Sequence, residues 1–323
     1  MRDDIDVFCV GETMVMVTAS DGGPLSADGR YLLRPGGAES NVASALASLG
    51  HATRWASALG DDPLGDIVLS DLARNGVDLG LVVRDPLHRT GVFFKNPSPE
   101  GTKVHYYRDG SAASMMSVEL LKQWSPARAG IVHVSGITAA LSDDCRELLQ
   151  AIVIDRALGD AVVSFDVNYR PALWPTTRAA PELLRLARAS DIVFVGRDEA
   201  ETLWGTSTAA SVDRLLQGPA HLVVKDGALD ATEFHDGGAT VCAAPVVEVV
   251  EPVGAGDAFA SGWLAGRLRA ADADERLRFG HLMASRVLRS STDAAPAPSQ
   301  AEIAHALAHD PRDWRRSTTL VEG

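Results

Sequence analysis

Along the chain, short apolar runs alternate with stretches in which apolar residues recur at three- and four-residue spacing. The runs 5–10, 131–134, 161–165, 192–195 and 222–224 are rich in β-branched residues. They are too short for buried helices, and they predict strands. Val42, Ala45, Leu46 and Leu49 share one face of a helix expected after Gly36 and Gly37, and Leu183, Leu184 and Ala187 share a face in another. Strands separated by helices predict an α/β fold with a mostly parallel sheet covered on both faces.

Two segments break this rhythm. Residues 13–33 and 90–111 show alternation and turn formers but no helical period. The second reads as a hairpin with its turn near 97–101. Both are expected to form a small β lid inserted in the main domain, with simple surface hairpins as the plainer reading. No internal repeat is visible. The tract AAPAPSQA near residue 297 is expected to be a loop before the last helix.

The 323 residues suit one large α/β unit with a substantial core. Lys and Arg total 30 against 43 Asp and Glu, a net charge of -13, which argues against nucleic acid or an anionic membrane as partner. It does not argue against a small anionic substrate, because a few local arginines outweigh a distant field. The three cysteines, Cys9, Cys145 and Cys242, are far apart and fit neither a zinc pattern nor a disulfide scaffold. A reducing cytoplasm is expected. The first apolar run is too short for a signal peptide or a membrane span.

Four segments carry candidate chemistry. In EPVGAGDAFASG, Gly254, Ala255 and Gly256 let the backbone approach a ligand, and a helix starting there aims free N–H groups and its positive end at an anion. Asp257 then stands where it can take a proton from an attacking hydroxyl. From this segment alone, Asp257 as a helix cap stays equally open. In PGGAESNVA, Gly36 and Gly37 permit a tight turn, and Asn41 can both donate and accept toward sugar hydroxyls. Asp166, Asn168 and Arg170 follow a predicted strand, at the sheet edge where open α/β folds bind ligands, although they could instead cap the next helix. Tyr106 and Arg108, two apart at the end of the expected hairpin, share a face that could close over a polar anion.

These four segments, in this order, resemble the ribokinase-like sugar kinases, the PfkB family, from about Val7 to the C-terminal helix. GGAESNVASALASLG with LGDDPLGD is similar to the family's first signature and EPVGAGDAFASG to its second; YYRDGSAAS and DVNYRPALW look most like 2-keto-3-deoxygluconate kinases. The resemblance implies a single ribokinase-like domain over 1–323, a three-layer sandwich with a mostly parallel central sheet and a small β lid. It implies ATP-dependent phosphorylation of a sugar or sugar acid, foremost 2-keto-3-deoxygluconate to its 6-phosphate, with fructokinase, ribokinase and 5-keto-2-deoxygluconate kinase as alternatives. It implies Asp257 as base, with Gly254, Ala255 and Gly256 as anion hole. Substrate contacts are implied at Gly36, Gly37, Asn41, Tyr106, Arg108 and Arg170, and nucleotide contacts at Asn168, Lys225 and Gly227. It also implies a homodimer through the lid.

Three departures bear on this. The second signature opens with Glu251 where Asp is usual, and that Asp is often tied to a monovalent cation, so potassium is expected to change the rate little. The magnesium-associated Asn-x-x-Glu is present as Gly196, Arg197, Asp198 and Glu199. Mg²⁺ is accordingly expected to arrive with ATP, with Glu199 acting through water. Asp230 stands in the nucleotide loop where Gly is common. A dinucleotide-binding dehydrogenase is disfavoured, because the glycine motif lies late and reads Gly-x-Gly-x-x-Phe; no P-loop lysine motif occurs. A non-catalytic sugar- or nucleotide-binding regulator is disfavoured by the intact Asp257 and its glycines.

Overall fold

The computed structural model describes residues 5–98, 101–124, 128–290, 295–308 and 314. The tip of the expected hairpin, 99–100, and the first residue of the AAPAPSQA tract lie outside them. In chain order the strands are β1 (Ile5–Val10), β2 (Met14–Ala19), β3 (Tyr31–Gly36), β4 (Thr53–Ala56), β5 (Ala58–Gly60), β6 (Val83–Asp85) and β7 (Val92–Ser98). They continue with β8 (Gly101–Tyr107), β9 (Ala129–Ser135), β10 (Val162–Asp166), β11 (Ile192–Gly196), β12 (His221–Asp226), β13 (Asp230–His235) and β14 (Gly238–Ala243). The helices are α1 (Ala38–Ser48), α2 (Pro63–Arg74), α3 (Leu121–Trp124), α4 (Gly136–Leu141), α5 (Asp143–Val153), α6 (Thr176–Ala189), α7 (Arg197–Trp204), α8 (Ala209–Leu216), α9 (Ala255–Leu268), α10 (Ala273–Leu288) and α11 (Gln300–Leu307).

The large sheet runs β14-β13-β12-β11-β10-β9-β1-β4. It is parallel from β12 to β4, and β13 and β14 add an antiparallel edge. The five runs expected to be strands are its five contiguous strands β12, β11, β10, β9 and β1. Both faces of each are covered, so each reads as a continuous apolar run rather than an alternating one. Successive side chains still go to opposite layers. Phe8, Val134, Phe165, Val193 and Val195 pack with Leu148 and Leu149 of α5 and with Leu183 and Leu186 of α6. Val7, Cys9, Ile192 and Phe194 pack on the other side with Leu46 of α1, Trp263 of α9 and Phe279 of α10. Helix, sheet and helix make the three layers that the resemblance implied. All three cysteines are buried free thiols.

The small sheet has the order β3-β2-β7-β8 and comes from the two segments that lacked a helical period. β2 pairs antiparallel with β3 and parallel with β7, and β7 and β8 form the expected hairpin. β3 runs on to Gly36, paired with Met14, so the glycine turn of the first motif is the end of a strand of the small sheet. A small apolar centre of Met14, Met16 and Phe93 holds this sheet together. Among the described residues, no helix is long and apolar enough to cross a membrane.

Candidate active site

The parallel strands β1, β10, β11 and β12 all end on the same edge, and the candidate residues gather beyond it. α1 and α9 reach this edge from opposite ends of the sequence. There the Asn41 side-chain NH₂ donates to Asp257 Oδ2 at 2.9 Å. Helix α9 is capped by Gly254, with no side-chain cap bond, and Asp257 sits inside its first turn. The alternative that Asp257 is only a cap is therefore set aside. Likewise α6 is capped by Pro175 without a side-chain bond, so neither Asp166, Asn168 nor Arg170 caps it.

Burial pushes the Asp257 carboxyl up from an ordinary value near 3.8 to about 7. The Asn41 hydrogen bond opposes this, the charge of Asp166 adds to it, and the cations of Arg170 and Lys225 pull it back. A carboxyl poised near neutrality, at the positive end of a helix, suits a general base.

Lys225, near the end of β12, donates from Nζ to Asp166 Oδ2 at 3.0 Å. Burial alone would lower the Lys225 ammonium. The negative charges of Asp166 and Glu199 outweigh it and hold the ammonium above its usual range. A Cβ on Gly256 would stand 3.5 Å from that Nζ, so the backbone of the expected anion hole faces the ammonium. Gly254, at φ 85°, and Gly227, at φ 54°, both occupy the left-handed region that glycine enters freely. Asn168 is held there too, at φ 40°. Its side-chain carbonyl oxygen is buried without a hydrogen-bond partner. Glu199 is raised by burial first and by Asp166 next. Its two oxygens accept from the backbone N–H of Gly196 at 2.7 Å and of Tyr169 at 3.0 Å. Arg170 Nη1 lies 3.8 Å from Glu199.

A second group forms where the small sheet meets α1. The Arg108 guanidinium is buried in an ion pair with Glu12, whose other oxygen accepts from Ser111 Oγ at 2.7 Å. The same guanidinium lies 5.8 Å from the centre of the Tyr106 ring, so the two residues do share a face. Arg108 Nε is buried and has no partner. The charge expected to close over a polar anion is thus already matched by Glu12. Gly37 is required nearby, because a Cβ there would stand 2.3 Å from the Glu12 carbonyl oxygen.

The sequence reading missed Glu12, Glu39 and the pairing role of Asp166. Glu39 is wholly buried and accepts from the Ser135 N–H and Oγ and from Thr138 Oγ1, which fixes the start of α1 against β9 and α4. Gly11 leaves room for it, since a Cβ there would lie 2.1 Å from the Glu39 carboxyl carbon. The available signal was an acid after Val10 and another inside the GGAES turn, both next to residues that had to be buried.

A triphosphate fits these residues. They offer a helix N-terminus, a lysine ammonium and two backbone turns that only small residues make easily. Among the described residues, no group of three His, Cys, Asp or Glu could hold a metal by itself. Asp166 and Glu199 already accept protein hydrogen bonds on both oxygens.

Comparisons with known proteins place the whole chain. The family model described as "pfkB family carbohydrate kinase" matches residues 4–300. The 2-dehydro-3-deoxygluconokinase of Bacillus subtilis (strain 168) is 33% identical over 311 residues, covering 94% of this chain and 95% of that protein. That of Thermoproteus tenax is 31% identical, covering 92% and 93%. The crystal structure of a PfkB protein from Polaromonas sp. JS666 superposes with a TM-score of 0.82 at 33% identity, covering 93% of this chain and 99% of that one. With the fold, the order of its motifs and a match over nearly its whole length, the chain belongs to the pfkB family of carbohydrate kinases.

Proposed function

We propose that this kinase transfers the γ-phosphoryl group of ATP to the terminal hydroxyl of a sugar acid, foremost 2-keto-3-deoxygluconate, to give the 6-phosphate. The observation that carries the catalytic part is Asp257, hydrogen-bonded to Asn41 in the first turn of α9 with its carboxyl near neutrality. Asp257 takes the proton of the attacking hydroxyl. As the new oxygen–phosphorus bond forms, the bond from the γ-phosphorus to the bridging oxygen breaks and ADP leaves. The backbone N–H groups of Gly254, Ala255 and Gly256 meet the negative charge on the transferring group. Lys225 and Gly227 flank the phosphates, and Asn168, held at φ 40° at the end of the same sheet edge, lies on the nucleotide side. Mg²⁺ bound with ATP would neutralise phosphate charge, and Glu199, which already accepts one backbone N–H on each oxygen, would act on it through water.

The small sheet serves as a lid over the acceptor, within one kinase domain, and pairs with a second copy in a homodimer of the cytoplasm. Gly36, Gly37, Asn41, Tyr106, Arg108 and Arg170 line the acceptor side. The exposed guanidinium of Arg170 supports a carboxylate, which offers it planar charge-assisted bonds that a neutral sugar lacks, and Arg108, neutralised by Glu12 through one nitrogen, adds donors there rather than net charge. The relatives named for a keto-deoxy sugar acid support the same choice.

Arg108→Ala is not a clean test, because it strands Glu12 as a buried charge. Arg108→Lys keeps a positive charge for Glu12 and loses the planar fork. ADP release is measured with 2-keto-3-deoxygluconate, 5-keto-2-deoxygluconate, fructose and ribose. The keto-acid should give the highest kcat/KM, and Arg108→Lys and Arg170→Ala should each lower that value by more than they lower the value for fructose. A preference for fructose or ribose, or equal losses on both substrate types, overturns the sugar-acid reading and leaves a kinase of neutral sugars.

A further inference from the structure

The loop that leads into α9 is poorly packed. Val249 is 55% exposed, Val250 59% and Val253 38%, so apolar burial does little to fix its position. Two other attachments hold it. The N–H groups of Val250 and Glu251 both donate to the Leu288 carbonyl at the end of α10, at 2.7 and 3.2 Å. On the opposite side, the Glu251 carboxylate is joined to the small sheet: Lys95 of β7 donates from Nζ to Glu251 Oε2 at 3.0 Å. The two side chains are only 5% and 12% exposed, so solvent screens this pair little. Glu251 Oε1 accepts from the Val253 N–H at 3.1 Å, inside the turn that ends at Gly254. A continuous chain of polar contacts therefore runs from the middle of the small sheet, through one carboxylate, to the turn that starts the catalytic helix.

We infer that Lys95 is a positioning residue for phosphoryl transfer. Through Glu251 it sets the turn before Gly254 relative to the small sheet, so that seating the lid on the acceptor and forming the anion hole are one event. The inference rests on the proposed roles of residues 254–257. A buried carboxylate has two ways to respond when its ammonium partner moves away. It follows the partner, or it turns to water and releases the Val253 N–H. Either response shifts the backbone donors of the anion hole, and small displacements of reacting groups cost rate far more than they cost binding.

The test compares Lys95→Met, Lys95→Arg, Glu251→Gln and the double variant Lys95→Met/Glu251→Gln with the wild type, using the best acceptor in a steady-state assay and ATP binding by calorimetry. Lys95→Met should lower kcat by about 10- to 100-fold, the size of effect seen when a remote change misplaces reacting groups. Its affinity for ATP should stay close to wild type, and Lys95→Arg should recover most of kcat. The double variant should be no worse than the worse single, because both singles break the same Lys95–Glu251 pair. If Lys95→Met does not fold, Glu251→Gln carries the test, since it keeps shape and the Val253 hydrogen bond while removing the charge. Additive losses in the double variant, or kcat unchanged in both Lys95→Met and Glu251→Gln, overturn the inference. Asp257→Asn is assayed alongside. If it turns over like wild type, the reading of the site itself fails; if it is inactive while Lys95→Met and Glu251→Gln are both unaffected, only the positioning role fails.

Discussion

Asp257 is asked to sit partly buried and to ionise, and these demands oppose each other. Its carboxyl rests near 7, against about 4 in an unfolded chain. Over that window the folded state keeps a proton that the unfolded state has released, so this group's contribution to stability declines as the pH climbs from about 4 through about 7. Asp257→Asn removes the ionisation and keeps an oxygen for the Asn41 NH₂. The variant should melt higher than wild type at pH 8, by about 2 °C if the relief is near 1 kcal/mol. The gap should narrow at pH 5, where wild-type Asp257 holds its proton. The same variant should lose turnover by ~10²- to 10⁴-fold, and wild-type kcat should rise as Asp257 ionises through about pH 7. A melting gap equal at both pH values would end the raised proton affinity, and near-wild-type turnover would falsify the assignment of Asp257 as base. The place of this residue was legible in the sequence, from Gly-Ala-Gly before a helical run. Its proton affinity was not, because that depends on Asn41 and Asp166, which only the fold brings beside it.

Elements buried on both faces were the readable ones. The five central strands announced themselves as unbroken apolar runs. β13 and β14, at the sheet edge, mix Asp230, Glu233 and Thr240 with apolar residues and gave no comparable signal. β4, only Thr53–Ala56, is too short for a period to show. The site followed the same division. Gly254, at φ 85°, could be read from local chain chemistry, whereas Gly37 is extended and needed for its close approach to the Glu12 carbonyl, and the ion pairs Arg108–Glu12, Lys225–Asp166 and Lys95–Glu251 join residues at least 59 positions apart. The last of these bears on monovalent cations. Glu251 has its carboxylate occupied by the Lys95 ammonium on one oxygen and the Val253 N–H on the other, which leaves it poorly placed to bind potassium. Initial rates in potassium and in a tetraalkylammonium buffer of equal ionic strength should therefore agree. A strong potassium-specific activation would mean that the loop binds the cation with its backbone carbonyls or through rearrangement of this pair.

At the scale of the whole molecule, the small sheet is the part least able to stand alone. Its apolar centre is small, and its two outer strands carry exposed apolar residues: Leu32 at 40% and Leu33 at 48% on β3, Tyr106 at 41% and Tyr107 at 67% on β8. A surface with net charge -13 keeps copies apart in general, and exposed apolar residues also occur off this sheet, Leu87 and Val246 among them, so what marks the small sheet is that its four lie on its two edge strands. Edge strands with free backbone groups beside such residues are a ready surface for a second copy. Covering them would also stiffen the lid that meets the acceptor, which links assembly to substrate affinity. The wild-type protein should sediment as a dimer at micromolar concentration. Leu33→Asp places a charge at an exposed position, where substitutions usually change stability by less than about 0.5 kcal/mol. It should sediment as a monomer that still melts cooperatively. Its ATP affinity should be unchanged while KM for the acceptor rises, given the proposed placing of the nucleotide on the large sheet and of the acceptor under the lid. Sedimentation velocity on both proteins, with KM for each ligand, decides the matter. A monomeric wild type ends the dimer proposal, and a monomeric Leu33→Asp with unchanged acceptor KM ends the claim that pairing stiffens the lid.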